Sequence, residues 1–423
     1  MKNIARGVRY RAIDVLSSWE KNRLPLDQVL EQHIPADAFA DPRDRQLLLA
    51  IVYGVIRWRS YLDWVIEKFS SYPLAKIKNR TLQALRIGIF QLLLTDRIPA
   101  SAAINETVQA LKDMRQPRWL TGFVNGLLRN VDRVRPDIPN PLHEQHGSLL
   151  PETALLNHPQ WLIARWQRRY GKEESLDICR KNNTPAPVCL RVNSSLTITS
   201  LLLEKLKSNG LQAEVGTYSP LAIKLQDFHG PIPSIPGFAE GLFQVQDEAA
   251  QLISLLLGAL QPGKTYLDGC AGLGGKTSHL AQMLPDSSKL LAVEPNTVRL
   301  KKLKENLGRL RLFTSVTIVE GMLDRLLPDS REQFAGVLLD APCSGLGVIR
   351  RNPDIRWNRN PGDLLRYQEN QTVLLKTAAQ LVTENGILVY AVCSAEPEEN
   401  DAVVTAFLAA HPIPSLNPSI KLT

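Results

Sequence analysis

Val337-Leu-Leu-Asp340-Ala-Pro-Cys343-Ser-Gly-Leu-Gly-Val-Ile-Arg350-Arg351-Asn-Pro353-Asp354 is an apolar run that breaks into a loop carrying an acid, a thiol and two arginines. The run, starting at Gly336, reads as a buried strand, because a short apolar stretch bounded by turn residues fits a strand enclosed on both faces. Chemistry in open α/β sheets gathers at such carboxyl ends. A second run, Gly386-Ile-Leu-Val-Tyr390-Ala-Val, also ends in a thiol, Cys393, followed by Ser394 and the acidic Glu396-Pro-Glu398-Glu399-Asn400-Asp401. If the two strands are neighbours in a parallel sheet, their axes lie about 4.8 Å apart. Two cysteines and a carboxylate then share one pocket.

Upstream, Thr265-Tyr-Leu-Asp268, Leu290-Leu-Ala-Val293 and Val316-Thr-Ile-Val319 repeat the strand pattern with helical segments between them. That alternation predicts a doubly wound parallel sheet, Rossmann-like, over 241–423. Its first turn is Asp268-Gly269-Cys270-Ala271-Gly272-Leu273-Gly274-Gly275-Lys276-Thr277. Glycines clustered between a strand and a helix let backbone approach a ligand closely and present helix N-terminal amides. Many cofactors use such a turn, so alone it is weakly specific. It lacks the first glycine of a phosphate loop, which argues against ATP or GTP. Glu294 ends the next strand, where a carboxylate commonly accepts from ribose hydroxyls.

Residues 4–134 read as all helical. Apolar positions recur at three- and four-residue spacing, as in Leu47-Leu48-Ile51-Val52-Val55-Ile56, and arginines are interleaved at 57, 86, 118 and 129 among others. Residues 1–140 hold 22 Lys+Arg against 14 Asp+Glu, whereas 141–423 hold 28 of each. The whole formal excess of +8 therefore sits in this part and favours a polyanionic partner. A basic solvated helical surface is the plainer alternative. Prolines 136, 139, 141 and 151 mark 136–153 as a linker. A helix is expected over 155–170. Beyond it, 188–192, 197–206, 212–215 and 221–225 read as strand, helix, strand and strand, a small α+β module within 154–240. The order is similar to that of an RNA-recognition motif, but no aromatic stacking pair is visible. Gly241-Leu-Phe-Gln-Val-Gln246-Asp247-Glu248 leads into an apolar helix over 249–260.

With 44% hydrophobic and 22% charged residues, the chain has the composition of an ordinary soluble protein. Its start lacks the apolar core of a signal peptide, and no run approaches a membrane span. Five cysteines without a CxxC pair argue for a reducing cytoplasm and against a disulfide or zinc framework. No metal site and no membrane partner are expected. Cys179 and Cys189 read as packing residues.

Four ordered motifs, 267–277, 340–347, 350–357 and 390–400, look like those of the RNA cytosine-5 methyltransferases. Tyr53-Gly-Val-Ile-Arg57-Trp, Leu85-Arg86-Ile-Gly88-Ile-Phe-Gln91-Leu and Phe123-Val-Asn125-Gly-Leu-Leu-Arg129 resemble the NusB-like RNA-binding bundle, here 1–135. Together they resemble the Sun/RsmB branch of that family. The resemblance implies S-adenosylmethionine as cofactor, held by Cys270, Ala271, Gly272, Leu273, Gly274, Gly275, Lys276, Glu294, Asp324 and Asp340. It implies small-subunit ribosomal RNA as partner, a cytidine carbon 5 as target, and a cytoplasmic enzyme, expected as a monomer. Cys393 would be the nucleophile, Cys343 would aid product release, and Asp340 would touch the cytosine. Arg350, Arg351, Arg57, Arg86 and Arg129 would contact RNA, with Arg356 ordering its loop against Asp354 or holding a phosphate.

The chemistry needs these residue types. A thiolate adding to carbon 6 of cytosine makes the ring enamine-like at carbon 5. The base must first leave its stack. A Pro-Cys thiol serves as nucleophile in DNA cytosine-5 methyltransferases, which promotes Cys343 as the rival, and Cys393 on the next strand tips the choice. Departures from the family pattern are Gly272-Leu273 in place of Ala-Pro, which should loosen the loop, Gly269 in place of an apolar residue, and the sequence around Asp324. After Pro412, Pro414 and Pro418 the chain stops at Thr423 without the expected closing strands, which would expose a sheet edge. The alternative reading is a catalytically silent RNA-binding or ribosome-assembly factor.

Overall fold

Between residues 8 and 133 the helical spacing of apolar side chains folds as seven helices, Val8–Asn22, Leu26–His33, Pro42–Arg57, Arg59–Phe69, Asn79–Leu93, Ala100–Asp113 and Arg118–Arg133. The structure is a computed structural model that describes residues 7–411 except 36–37, 40, 97, 144–149, 229 and 327–332. Two units make up the chain, 1–185 with 348–360, and 186–347 with 361–423.

In the first unit, helix Asn79–Leu93 is buried nearly all round. Gly54 lets the ring of Phe90 lie against backbone where any Cβ would collide. Arg86 sits within that helix, 2% exposed, with Nε and Nη2 donating to the Asp63 carboxylate at 2.7 and 2.8 Å and Nη1 to Glu20 at 3.2 Å. A buried guanidinium is tolerated because its charge and donors are met by two carboxylates. Arg86→Met should therefore destabilise the bundle by about 3 kcal/mol, since it strands Asp63 and Glu20. Urea unfolding checks this, and a loss below about 0.5 kcal/mol would contradict it.

The expected helix over 155–170 is two helices, Glu152–Leu156 and Gln160–Tyr170. Asn157 breaks it in the left-handed region, φ 52°, and Pro159 follows, so helical hydrogen bonding cannot continue. Residues 348–360 belong to this unit. Asp354 accepts from Leu26 N at 3.0 Å, and Trp357 Nε1 donates to Ile56 O at 2.8 Å.

The second unit holds two sheets. In the first, β1 (Val188–Val192), β2 (Ala213–Val215), β3 (Ala222–Leu225) and β4 (Phe243–Val245) run antiparallel in the order β2-β3-β1-β4, with helix Thr199–Ser208 against them. The stretch around Phe243 was expected only as a lead into the next helix. It is a fourth strand, with Phe243 in the core beside Leu190 and Ile223.

In the second sheet β5 (Thr265–Asp268), β6 (Lys289–Glu294), β7 (Val316–Glu320), β8 (Phe334–Asp340) and β9 (Val382–Ala391) are parallel in the order β7-β6-β5-β8-β9. This is the doubly wound fold, with helices Gly275–Met283, Thr297–Arg309, Pro361–Gln380 and Asp401–Ala410. The strand order reverses between β5 and β8, which opens a crevice at their carboxyl ends. Among the described residues β9 is an edge strand, and Pro412, Pro414 and Pro418 lie outside them. Among the described residues no helix is long and apolar enough to cross a membrane.

Candidate active site

The glycine turn leaves β5 at the point where strand order reverses. Gly272 and Gly274 take φ of 56° and 86°, a region in which a side chain is strained, and the Leu303 side chain also crowds Gly274. Gly272-Leu273 does not leave the turn untied. Gly272 N donates to Glu294 Oε2 at 2.9 Å, Gly274 N to Ala271 O at 2.9 Å, and Asn306 Nδ2 to Leu273 O at 3.0 Å. Glu294 is buried at the end of β6, and its second oxygen accepts from Asn296 N at 2.8 Å. Each oxygen keeps a lone pair for another donor. Asp324 stands exposed in the turn Leu323–Leu326 beyond β7, and no hydrogen bond or ion pair ties it to Glu294 or Asp340 among the described residues.

Under the turn lies Asp268, 1% exposed. Thr277 Oγ1 donates to its Oδ2 at 2.7 Å, and Cys270 N approaches Oδ1 at 3.4 Å. Burial pushes this carboxyl up to about 6, against the pull of Thr277, and Asp340 adds to the rise. A raised folded value means that the proton binds the folded chain more tightly, so stability falls as pH rises from about 4 to about 6. Asp268→Asn should be more stable than the wild type at pH 7 by about 2 kcal/mol, and the gap should close near pH 4. Urea unfolding at the two pH values tests this; an equal difference at both would refute it. Burial, and then Asp268, push the Cys270 thiol up to about 12, so it stays neutral.

Across the crevice Lys276 Nζ reaches Asp340 Oδ2 at 2.5 Å. The pair joins the first helical turn after β5 to the end of β8. Asp340 is level with Ala391 in the β8–β9 register, so Cys343 and Cys393 follow from neighbouring strand ends. Their Sγ atoms are 3.1 Å apart. Cys393 is exposed and Cys343 half-buried. The hydrogen bond between the two sulfurs, in which either can donate, is the chief cause lowering the Cys393 thiol below its ordinary value, with Lys276 assisting against burial and Asp340. The same bond, with burial behind it, holds Cys343 firmly protonated. The pair is therefore unequal, with Cys393 the more easily ionised sulfur.

Behind the thiols lies a carboxylate that sequence reasoning passed over. Glu399 is fully buried and accepts from Ser344 N at 2.7 Å, Ser344 Oγ at 2.5 Å and Gln371 Nε2 at 3.2 Å. Gln371 Nε2 also donates to Pro342 O at 3.0 Å, and Ser344 Oγ lies 3.2 Å from Ser394 Oγ. Four neighbouring acids follow Cys393, of which Glu396 and Glu399 are buried, and nothing in their order marks Glu399 as the one that holds Ser344 and Gln371. Arg191 of β1 was passed over too. It is fully buried and donates to Gly275 O at 2.6 Å and Ser278 Oγ at 2.7 Å, bracing the first turn of the helix after the glycines.

The expected RNA contacts fare unevenly. Arg86 is overturned, because its guanidinium is consumed in the buried ion pairs of the bundle. Arg57 is half-buried and donates to Arg350 O at 3.1 Å, while Arg350, also half-buried, donates to Pro185 O at 2.8 Å. Arg351 is half-buried, and Arg129 is exposed with Nε on Asn125 Oδ1 at 3.2 Å. Arg356 does not pair with Asp354. It is fully buried and donates to Asn157 O at 2.7 Å, Asn183 Oδ1 at 2.6 Å and Asn182 O at 3.1 Å. Cys179 and Cys189 are buried in packing, and no group of three or more candidate ligands is placed to hold a metal ion among the described residues.

Comparison with known proteins finds three family models along the chain. Residues 6–133 match the NusB family, 158–230 the ferredoxin-like domain of RsmF/B-like methyltransferases, and 255–421 the 16S rRNA methyltransferase RsmB/F model. The probable ribosomal RNA small subunit methyltransferase B of Bacillus subtilis is 34% identical over 409 residues, covering 96% of this chain and 89% of its own. The ribosomal RNA small subunit methyltransferase B of Cronobacter sakazakii is 36% identical over 371 residues, covering 88% and 83%. Among solved structures, PH0851 superposes with a TM-score of 0.78 at 25% identity over 98% of this chain and 91% of its own. A methyltransferase homologue from Pyrococcus horikoshii gives 0.54 at 29% identity, covering 63% and 83%.

Proposed function

From the premise that the chain belongs to the 16S rRNA methyltransferase RsmB/F family, we propose that it methylates carbon 5 of a cytidine in small-subunit ribosomal RNA through a covalent bond to Cys393. The observation that carries this reading is the unequal thiol pair, 3.1 Å apart, at strand ends flanked by the Lys276–Asp340 pair. A general RNA-binding factor needs no thiolate at the carboxyl edge of a sheet, whereas addition to a pyrimidine ring does.

The residues present fit S-adenosylmethionine. The glycine turn brings backbone into the crevice without side chains, and Glu294 keeps acceptor capacity beside Gly272 for the ribose hydroxyls. Held at this turn and Glu294, the cofactor would supply a methyl group on a sulfonium, an electrophile that an ordinary cytosine carbon 5 cannot attack. The chain's own residues change that. Cys393 adds as thiolate to carbon 6 and leaves electron density at carbon 5. Asp340 accepts from the cytosine amino group, and a proton passed from the Lys276 ammonium through Asp340 to ring nitrogen 3 neutralises the charge that addition creates. After methylation Cys343, which gives its proton to solvent once Cys393 is bonded to carbon, removes the carbon 5 proton; the carbon 5–carbon 6 double bond re-forms, ring nitrogen 3 returns its proton through Asp340 to Lys276, and Cys393 leaves as thiolate. The basic helical bundle, with Arg129 on its surface, contributes affinity for RNA phosphates, and the enzyme works as a monomer in the cytoplasm.

Incubation with S-adenosylmethionine and unmodified small-subunit RNA, followed by digestion to nucleosides and mass spectrometry, tests the reading. The expected product is 5-methylcytidine. Methylation at another atom, or none while RNA still binds, refutes it.

A further inference from the structure

Two neighbouring cysteines at a sheet edge have no intrinsic reason to be one thiol and one thiolate. An isolated pair at this spacing would share its proton, and either sulfur would attack. The asymmetry must come from groups around them. Lys276 lowers the Cys393 thiol against burial and Asp340, and Glu399, behind the hydrogen bond to Cys393 and burial, raises Cys343. Glu399 is also the centre of the hydrogen bonds that fix the turn after Cys343. Ser344, which follows Cys343, gives it both backbone N–H and hydroxyl, and that hydroxyl touches Ser394, which follows Cys393. Gln371, from helix Pro361–Gln380, clamps Glu399 and the Pro342 carbonyl together. Tyr390 of β9 donates to the Glu399 carbonyl at 2.8 Å. Every group meeting the Glu399 carboxyl in these contacts is a donor, so the site requires an acceptor on both oxygens.

We propose that Glu399 is the positioning residue that assigns the two cysteines their roles, holding Cys343 as the proton-bearing partner and leaving Cys393 as the attacking sulfur. It touches neither sulfur and acts through Ser344 and through its buried charge. The assignment deepens the proposed reaction and rests on that reading for its catalytic meaning, but its physical content is a property of the free protein. Glutamine keeps the shape of Glu399, yet it turns an amide donor against Ser344 or Gln371 and removes the charge. Both changes act in one direction, loosening the Cys343 turn and easing ionisation of Cys343. Aspartate keeps the charge and both acceptors but is one methylene short.

The test is competitive alkylation of full-length protein with limiting iodoacetamide at neutral pH, scored by peptide mass spectrometry as the ratio of Cys393 to Cys343 labelling. Wild type is expected to label Cys393 at least about tenfold in preference. Glu399→Gln should bring the ratio close to one, and Glu399→Asp should retain most of the preference. A residue that merely fills space would rank the isosteric glutamine above aspartate, so that order overturns the proposal, as does an unchanged ratio in Glu399→Gln. Circular dichroism and S-adenosylmethionine affinity report whether each variant is folded. If Glu399→Gln does not fold, Ser344→Ala decides, because it removes one hydroxyl and cuts the link to Ser394; a fall of about threefold in the ratio is expected, and no change overturns the proposal. Failure of methylation in the wild type with an intact labelling preference would instead count against the proposed reaction.

Discussion

Cys393→Ala is expected to lower methyl transfer by about 10⁴-fold or more while S-adenosylmethionine affinity stays within about twofold of wild type. The two expectations separate because the residues that fit the cofactor lie on the turn after β5 and at the end of β6, whereas Cys393 follows β9. Cytosine without a sulfur on carbon 6 has no electron-rich carbon 5, and no other thiolate replaces the lost one. Cys343 is 3.1 Å away, and with Cys393 gone burial and Glu399 still raise its thiol. Single-turnover methyl transfer together with calorimetry of cofactor binding measures both quantities. Retained turnover would remove Cys393 from the chemistry.

Cys343→Ala should behave in the opposite manner, accumulating a denaturant-stable protein–RNA adduct while turnover falls by about 100-fold or more. Two effects compete here, and their sizes decide the outcome. Loss of the Cys343 hydrogen bond removes the main influence that lowers the Cys393 thiol, so at about pH 7.5 the thiolate share, and with it adduct formation, falls. Loss of the base for the carbon 5 proton slows release by about 10²–10⁴-fold. Release loses more than formation, so the adduct builds up, and raising the pH to about 9 should speed its formation towards the wild-type rate. Denaturing gels with labelled RNA check both statements. A variant that turns over normally without an adduct would leave Cys343 a packing residue.

Much of this site is legible in the chain because strand ends are. A parallel sheet buried on both faces needs continuous apolar runs, and four of the five runs here stop at or just before a polar residue of the crevice: Asp268, Glu294, Asp340 and Cys393. Glycines at 272 and 274 are legible for the same reason, since positive φ leaves few alternatives. What stays hidden is what depends on the third dimension. Arg86 reads as one of several surface arginines, although its neighbours Leu85, Ile87, Gly88, Ile89 and Phe90 leave no polar face around it, a pattern that marks an embedded charge. Asn157 and Pro159 break a helix whose apolar period runs on, because local backbone geometry outranks periodicity. Arg350, Arg351 and Arg356 follow the thiol loop in sequence, yet 348–360 packs with the helical unit, and no local signal announces that. Glu399 is hidden because four acids share one short stretch, and what sets it apart is its hydrogen bonding to Ser344 and Gln371, residues distant in sequence.

The nucleophile assignment is tested most directly by RNA in which the target cytidines are replaced by 5-fluorocytidine. With S-adenosylmethionine supplied, methyl transfer to a fluorine-bearing carbon 5 leaves no proton to remove, so the bond between protein and carbon 6 cannot be undone and wild-type enzyme captures itself. Digestion and peptide mass spectrometry then locate the modified residue. The account predicts the nucleotide on the peptide carrying Cys393, with Cys343 free. A nucleotide on Cys343 would contradict it, and so would methyl transfer with no covalent capture at either cysteine.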